Sequence, residues 1–241
     1  MAAHGSTGVF LTAAWRWLAM LNFEVEPSVL APRVPAGTEL DAWSGRTVVS
    51  LVGFRFLGTR VLGVAVPFHG DFDEVNLRFY VRRRAEEGWR RGVVFVRELV
   101  PRRALAWVAR AVYGEPYSAV PMRHAVDPAG GLVSYGWRWG GAWSSLSLRF
   151  EGEARLPADG SEEEFITEHF WGYTARRAGA ASEYRIEHPR WRVWSAASAS
   201  LRCDVAALYG PEFAGALSGA PSSAFLAEGS EVSVRRATRI V

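Results

Sequence analysis

The residues best suited to chemistry lie in one short run, Asp71-Phe72-Asp73-Glu74-Val75-Asn76-Leu77-Arg78-Phe79-Tyr80-Val81. Side chains of an extended strand point alternately to its two faces. A strand here therefore sets Glu74, Asn76, Arg78 and Tyr80 on one face and Val75, Leu77, Phe79 and Val81 on the other. On such a face the guanidinium can hold a ligand carboxylate. The Glu74 carboxylate can take a proton while Arg78 stabilises an enolate-like charge. The same alternation also describes a surface strand whose polar face meets water, and that is the simpler reading. The alternative puts the face inside a cavity, where Glu74 should pair with Arg78 or with another arginine such as Arg55 unless a ligand takes that place.

Two further runs carry usable side chains. Tyr113-Gly114-Glu115-Pro116-Tyr117-Ser118-Ala119 is a Gly/Pro turn that returns the chain to a strand near Tyr117, whose phenol can donate a hydrogen bond or a proton. In Glu187-His188-Pro189-Arg190-Trp191, His188 stands at the entrance of a tryptophan-rich segment. A backbone-bonded histidine is the plainer reading of it, and a ligand contact the alternative. The five histidines, His4, His69, His124, His169 and His188, form no HxH or HExxH pair, and one cysteine cannot build a structural zinc site, so no metal is expected. No GxSxG elbow, phosphate-binding glycine loop or dinucleotide fingerprint is present, and no cofactor is expected.

The elements that must position these groups are mostly strands. Thr47 to Leu57, Phe72 to Arg83, Gly92 to Leu99, Gly131 to Trp139, Ala142 to Glu151 and Trp191 to Arg202 are rich in Val, Phe, Tyr and Trp at strand length. Trp43-Ser44-Gly45-Arg46 supplies a turn, and Trp139-Gly140-Gly141-Ala142 reads as a hairpin. Leu105, Val108 and Val112 after Pro101 predict an amphipathic helix. Ser161 and Glu164 have capping-box spacing ahead of Phe165, Ile166 and Phe170. Shorter helical pieces fit Pro27 to Leu30 and Asp204 to Leu208. The expected class is mainly β (α+β), an antiparallel β-barrel or cone-like sheet with a few peripheral helices.

With 241 residues, 49% of them hydrophobic, the chain can bury one sizeable core, and a single domain over residues 1–241 is expected. The net charge is only +3, and all 28 basic residues are arginine, since no lysine occurs. Those charges are interspersed, which argues against a nucleic-acid partner. Cys203 alone cannot form an internal disulfide and fits a reducing compartment. Gly8 to Phe23 is apolar enough to resemble a signal peptide, but Arg16 interrupts it and no basic segment precedes it. No stretch has the ~20 apolar residues of a membrane helix. A cytoplasmic protein with a small-molecule partner, without membrane contact and free to form a homo-oligomer, is expected.

Taken together, the Val34-Pro35-Ala36-Gly37 entry, Trp43 to Arg46, Val49 to Arg55, the Phe72 to Val81 strand, the Tyr113 to Ala119 turn and Phe165 to Trp191 resemble a bacterial family of unknown function. These are the YqjF-like proteins (DUF2071), grouped with the acetoacetate decarboxylase-like superfamily. The resemblance covers most of the chain. It implies a barrel or cone-shaped sheet around a small-molecule pocket, which puts the cavity reading of the Glu74 face on equal footing with the solvated one. It also implies that Tyr117 and Ser118 stand where the decarboxylases carry paired lysines, one of which forms a Schiff base. With no lysine in the chain, that reaction is excluded. Two functions remain. One is binding of a small carboxylate or carbonyl compound by Glu74, Asn76, Arg78, Tyr80, Tyr117, Arg55 and His188, with Trp137 or Trp139 as apolar walls. The other is non-covalent acid-base catalysis with Glu74 as base and Tyr117 as donor. Whether the protein is an enzyme stays open at this point.

Overall fold

The computed structural model describes residues 8–176 and 179–240. The expected His4 lies outside them. Fifteen strands follow in chain order: β1 (Val9–Glu24), β2 (Glu39–Leu40), β3 (Val48–Val61), β4 (Val64–Ala65), β5 (Phe72–Ala85), β6 (Gly88–Val100), β7 (Tyr117–Ala119), β8 (Met122–Asp127), β9 (Leu132–Trp139), β10 (Ala142–Phe150), β11 (Trp171–Ala175), β12 (Ala181–Glu187), β13 (Val193–Arg202), β14 (Ser223–Arg235) and β15 (Thr238–Arg239). Helices are few: α1 (Pro27–Leu30), α2 (Arg103–Val112), α3 (Glu162–Thr167), α4 (Val205–Tyr209) and α5 (Pro211–Leu217). The chain is mainly β, and all six strands expected from the sequence form.

Because β12 pairs with β11 on one side and β14 on the other, β12-β11-β6-β5-β3-β1-β14 closes into a ring of seven strands. Closure removes the exposed edges of those strands. The sheet then leaves the ring through β14 and continues as an outer leaf, β13-β10-β9-β8. Pairing is not wholly antiparallel as expected: β6 runs parallel to both β11 and β7. Both partners reach β6 through long excursions that contain helices, which is the kind of connection a parallel neighbour requires.

Ring and leaf share the main core. Val75, Leu77, Phe79 and Val81 on β5 join Leu51 of β3, Tyr135 and Trp137 of β9 and Leu146 of β10. The two layers meet so closely that a Cβ on Gly53 of β3 would sit 2.6 Å from the Tyr135 ring. The strand β5 is thus covered on both faces, one by this core and the other by the ring interior, where Glu74 and Asn76 are each 2% exposed. That overturns the simpler reading of a solvated polar face.

The N-terminal apolar stretch is the long strand β1, paired with β3 and β14 in the ring wall. Ser161 caps α3 by accepting from the Glu164 N–H at 3.2 Å, as its spacing predicts. Ala106 of α2 is buried, while the side chains of Val108 and Val112, expected on the same face, lie outside what is described. Among the described residues no helix is long and apolar enough to cross a membrane.

Candidate functional site

The ring encloses a cavity of about 220 Å³. Most of its wall is apolar, with Trp15, Phe54, Phe56, Phe72, Phe95 and Trp191 among the lining residues. Two neighbouring strands and the turn into a third supply its carboxyl groups and its arginine. Glu74, Asn76 and Arg78 point in from β5, Glu98 from β6, and Glu115 and Tyr117 from the turn into β7. Neighbouring strands bring Asn76 opposite Glu98 and Glu98 beside Tyr117.

Glu98 faces inward because of an irregularity. Leu77 pairs with Arg97 but Arg78 with Phe95, which leaves Val96 as an extra residue in β6. A bulge of this kind reverses the alternation. Val93 and Phe95 line the cavity before it, Glu98 and Val100 after it.

The three carboxyl groups form one buried set. Glu74 accepts from Tyr117 Oη at 3.0 Å and from Asn76 Nδ2 at 2.9 Å. Glu115 accepts from Thr174 Oγ1 at 2.6 Å and Tyr184 Oη at 3.0 Å. Glu98 Oε2 has no protein partner. Burial raises Glu74 to about 7, against the opposing effects of Asn76, Tyr117 and Arg78. Burial likewise raises Glu115 to about 7. Glu98 is pushed well above the usual carboxyl range by burial and then by Glu115 and Glu74. Like charges gathered in a buried site cannot all ionise together. The phenols of Tyr117 and Tyr184 are pushed up as well, by burial and the same carboxylates, so both remain donors.

Arg78 stands two residues beyond Asn76 and is 9% exposed. One guanidinium nitrogen donates to the Ile166 carbonyl at 3.3 Å, and Nε has no acceptor. The expected ion pair with Glu74 does not form, because alternate positions on one strand are ~6.6 Å apart and those two are four residues apart. Arg55 does not supply it either. It lies 3.5 Å from Asp73 on the opposite face of β5, where His124 also approaches Asp73 at 2.9 Å. Tyr80 shares the inward face but not the cavity wall: its hydroxyl meets Ser50 at 2.5 Å and its ring packs on Phe165 and His169. Trp137 and Trp139, expected as apolar walls, belong to the core between ring and leaf.

His188 lines the cavity mainly as a flat surface, stacked on Trp191 at 4.0 Å, with burial lowering its pKa. Sequence reasoning missed His169, which also lines the cavity. Its Nε2 lies 3.3 Å from Asp41, which Arg91 also contacts at 2.7 Å. Burial lowers His169 to about 4, so the ring is neutral at pH 7. Among the described residues no three His, Cys, Asp or Glu side chains are arranged to hold a metal ion.

The profile of DUF2071, a family of uncharacterized conserved proteins, matches residues 12–231 of this sequence. The chain belongs to the DUF2071 family. Solved structures place this DUF2071 chain in the acetoacetate decarboxylase-like fold. An acetoacetate decarboxylase from Legionella pneumophila subsp. pneumophila str. Philadelphia 1 superposes with a TM-score of 0.70 over 98% of this chain and 88% of that one, at 12% identity. The enduracididine biosynthesis enzyme MppR complexed with pyruvate gives 0.68 over 99% and 92%, also at 12% identity. An acetoacetate decarboxylase-like enzyme from Sphingomonas wittichii RW1 gives 0.64 over 100% and 98%, at 13% identity. At such identities the likeness concerns the fold alone. No curated protein matches this DUF2071 sequence.

Proposed function

We propose that this DUF2071 protein binds a small organic acid, through its carboxylate or carbonyl oxygens, inside the ring and without Schiff-base chemistry. The observation that carries the reading is Arg78, a buried guanidinium that lines a mostly apolar cavity and has no carboxylate within salt-bridge distance among the described residues. A buried cation of this kind is costly unless an anion meets it. That one similar structure is an acetoacetate decarboxylase and another is complexed with pyruvate supports a small acid. The chain has no lysine, so covalent capture by a side-chain amine is not available to it. The half-buried Cys203 thiol supports a reducing location such as the cytoplasm.

A thermal-shift series tests the reading, since a ligand selective for the folded state raises apparent stability by mass action. Small mono-carboxylates and keto acids are expected to raise Tm at millimolar concentration, whereas the matching alcohols and amines leave it unchanged. Equal shifts from all of them, or none from the acids, would reject the acid site.

A second reading, non-covalent acid-base catalysis, is favoured by one observation. Glu74 has its pKa near 7 and is hydrogen-bonded to Tyr117 within the same cavity. A carboxylate so tuned suits proton abstraction beside a carbonyl. On this reading the protein exchanges the α-protons of a bound keto acid in D2O, visible by NMR, and Glu74→Gln lowers the rate by about 10²-fold or more. Exchange no faster than in buffer leaves the site a binding site.

A further inference from the structure

Unpartnered polar atoms along the ring wall call for opposite groups at neighbouring positions. Asn76 on β5 stands across from Glu98 on β6. Asn76 spends Nδ2 on Glu74, which orients its Oδ1 as an acceptor without a protein donor. Glu98 meets the Tyr117 hydroxyl through its other carboxyl oxygen, where its proton is held, so Oε2 is likewise an acceptor without a donor, and each residue is 2% exposed. Two residues along the same face, Arg78 offers an Nε–H with no acceptor. Alternate residues of a strand are ~6.6 Å apart. A pair of orphaned oxygens thus lies one side-chain spacing from an orphaned cationic donor.

Resting on the reading of the cavity as a small-acid site, we propose that its ligand is a 2-hydroxy or 2-amino carboxylic acid with an apolar side chain. The carboxylate meets Arg78, and the donor on carbon 2 reaches Asn76 Oδ1 and Glu98 Oε2. The side chain lies among Trp15, Phe54, Phe56, Phe72, Phe95 and Trp191. The donor is the narrowing element. A 2-keto acid brings an acceptor to the same place and leaves Asn76 Oδ1 buried and unsatisfied, which weakens binding. The aromatic walls and the volume of about 220 Å³ suit a side chain of aromatic size.

Four probes differ only at carbon 2: 3-phenyllactate, phenylalanine, phenylpyruvate and 3-phenylpropionate. Calorimetric titration of the whole protein is expected to give one enantiomer of phenyllactate or phenylalanine a Kd at least about tenfold below those of phenylpyruvate and phenylpropionate, the worth of one good buried hydrogen bond. Asn76→Leu is expected to shrink that preference below about threefold, as loss of that bond requires. If phenylpyruvate or phenylpropionate binds as tightly as the best donor-bearing acid, the inference falls while the small-acid reading stands. If no acid of any kind binds, the small-acid reading falls too. The wild-type comparison decides by itself if Asn76→Leu does not fold.

Discussion

Arg78→Met is expected to weaken binding of a small carboxylate by about 2–5 kcal/mol, the range for truncating one side of a buried, hydrogen-bonded charge pair. That corresponds to between about 30-fold and about 5,000-fold in Kd. The same change should alter the unfolding free energy by no more than about 1 kcal/mol, the scale of a single hydrogen bond. The contrast follows from what Arg78 touches. A true buried Glu74–Arg78 pair would cost about 3–5 kcal/mol of stability on truncation, because the partner would be left as an unpaired buried charge. Here Arg78 leaves behind the Ile166 carbonyl and a contact 5.8 Å from the centre of the Tyr80 ring, and Glu74 loses a favourable charge at a distance but keeps Asn76 and Tyr117. Methionine fills much of the guanidinium stem's volume and needs no partner. Calorimetry with a carboxylate that stabilises the wild type, beside urea denaturation of both proteins, checks the two halves. Unchanged binding would remove Arg78 from the site, and a stability loss near 4 kcal/mol would assign it a structural role.

The legibility of the fold depended on how each strand is covered. β5 could be read because its two faces differ in chemistry, and the alternation of Glu74, Asn76 and Arg78 with Val75, Leu77 and Phe79 is uninterrupted. β1 could not, because it too is covered on both faces and mixes Ala13, Trp15 and Leu18 without a clean period. Trp17, in a left-handed conformation at φ 58, interrupts the alternation, so that Trp15 and Leu18 both face the cavity. A strand buried on both faces reads as an apolar run, which is why this one resembled a signal sequence. The candidate site was legible only in part for a related reason. Counting by twos from Val93 and Phe95 sends Glu98 outward, and the bulge at Val96 is what turns it in. Glu115 lay in view within the Tyr113 to Ala119 turn, yet nothing in a turn sequence marks a carboxyl that Thr174 and Tyr184 will hold from 59 and 69 residues away. The pairing of Arg55 with Asp73 in place of Glu74 follows from parity: neighbours in sequence on one strand face opposite ways.

The carboxyl set has a consequence for stability that Glu98→Gln isolates. A carboxyl whose folded pKa is raised holds its proton in the folded state at pH values where the unfolded chain has lost it. Folding then takes up protons, and stability falls as pH rises from the unfolded value of 4.5 through the folded one. For Glu74 and Glu115 that window runs from 4.5 to about 7, and for Glu98 it extends higher. His169 acts in the opposite sense. It is lowered to about 4, so its contribution grows as pH rises from 4 to 6.5 and partly masks the carboxyl effect in acid. Comparing the wild type with Glu98→Gln at each pH cancels the histidine. Glutamine has nearly the same shape, stays neutral, and brings an amide donor to a wall where Asn76 Oδ1 has none. The variant is therefore expected to match the wild type within about 1 kcal/mol at pH 5. At pH 8 it should exceed the wild type by at least about 1.4 kcal/mol, the equivalent of one pKa unit. Urea denaturation at half-unit pH steps measures the divergence. Parallel stability curves from pH 5 to 8 would mean that Glu98 titrates like a carboxyl in water and that burial does not act on the three groups together.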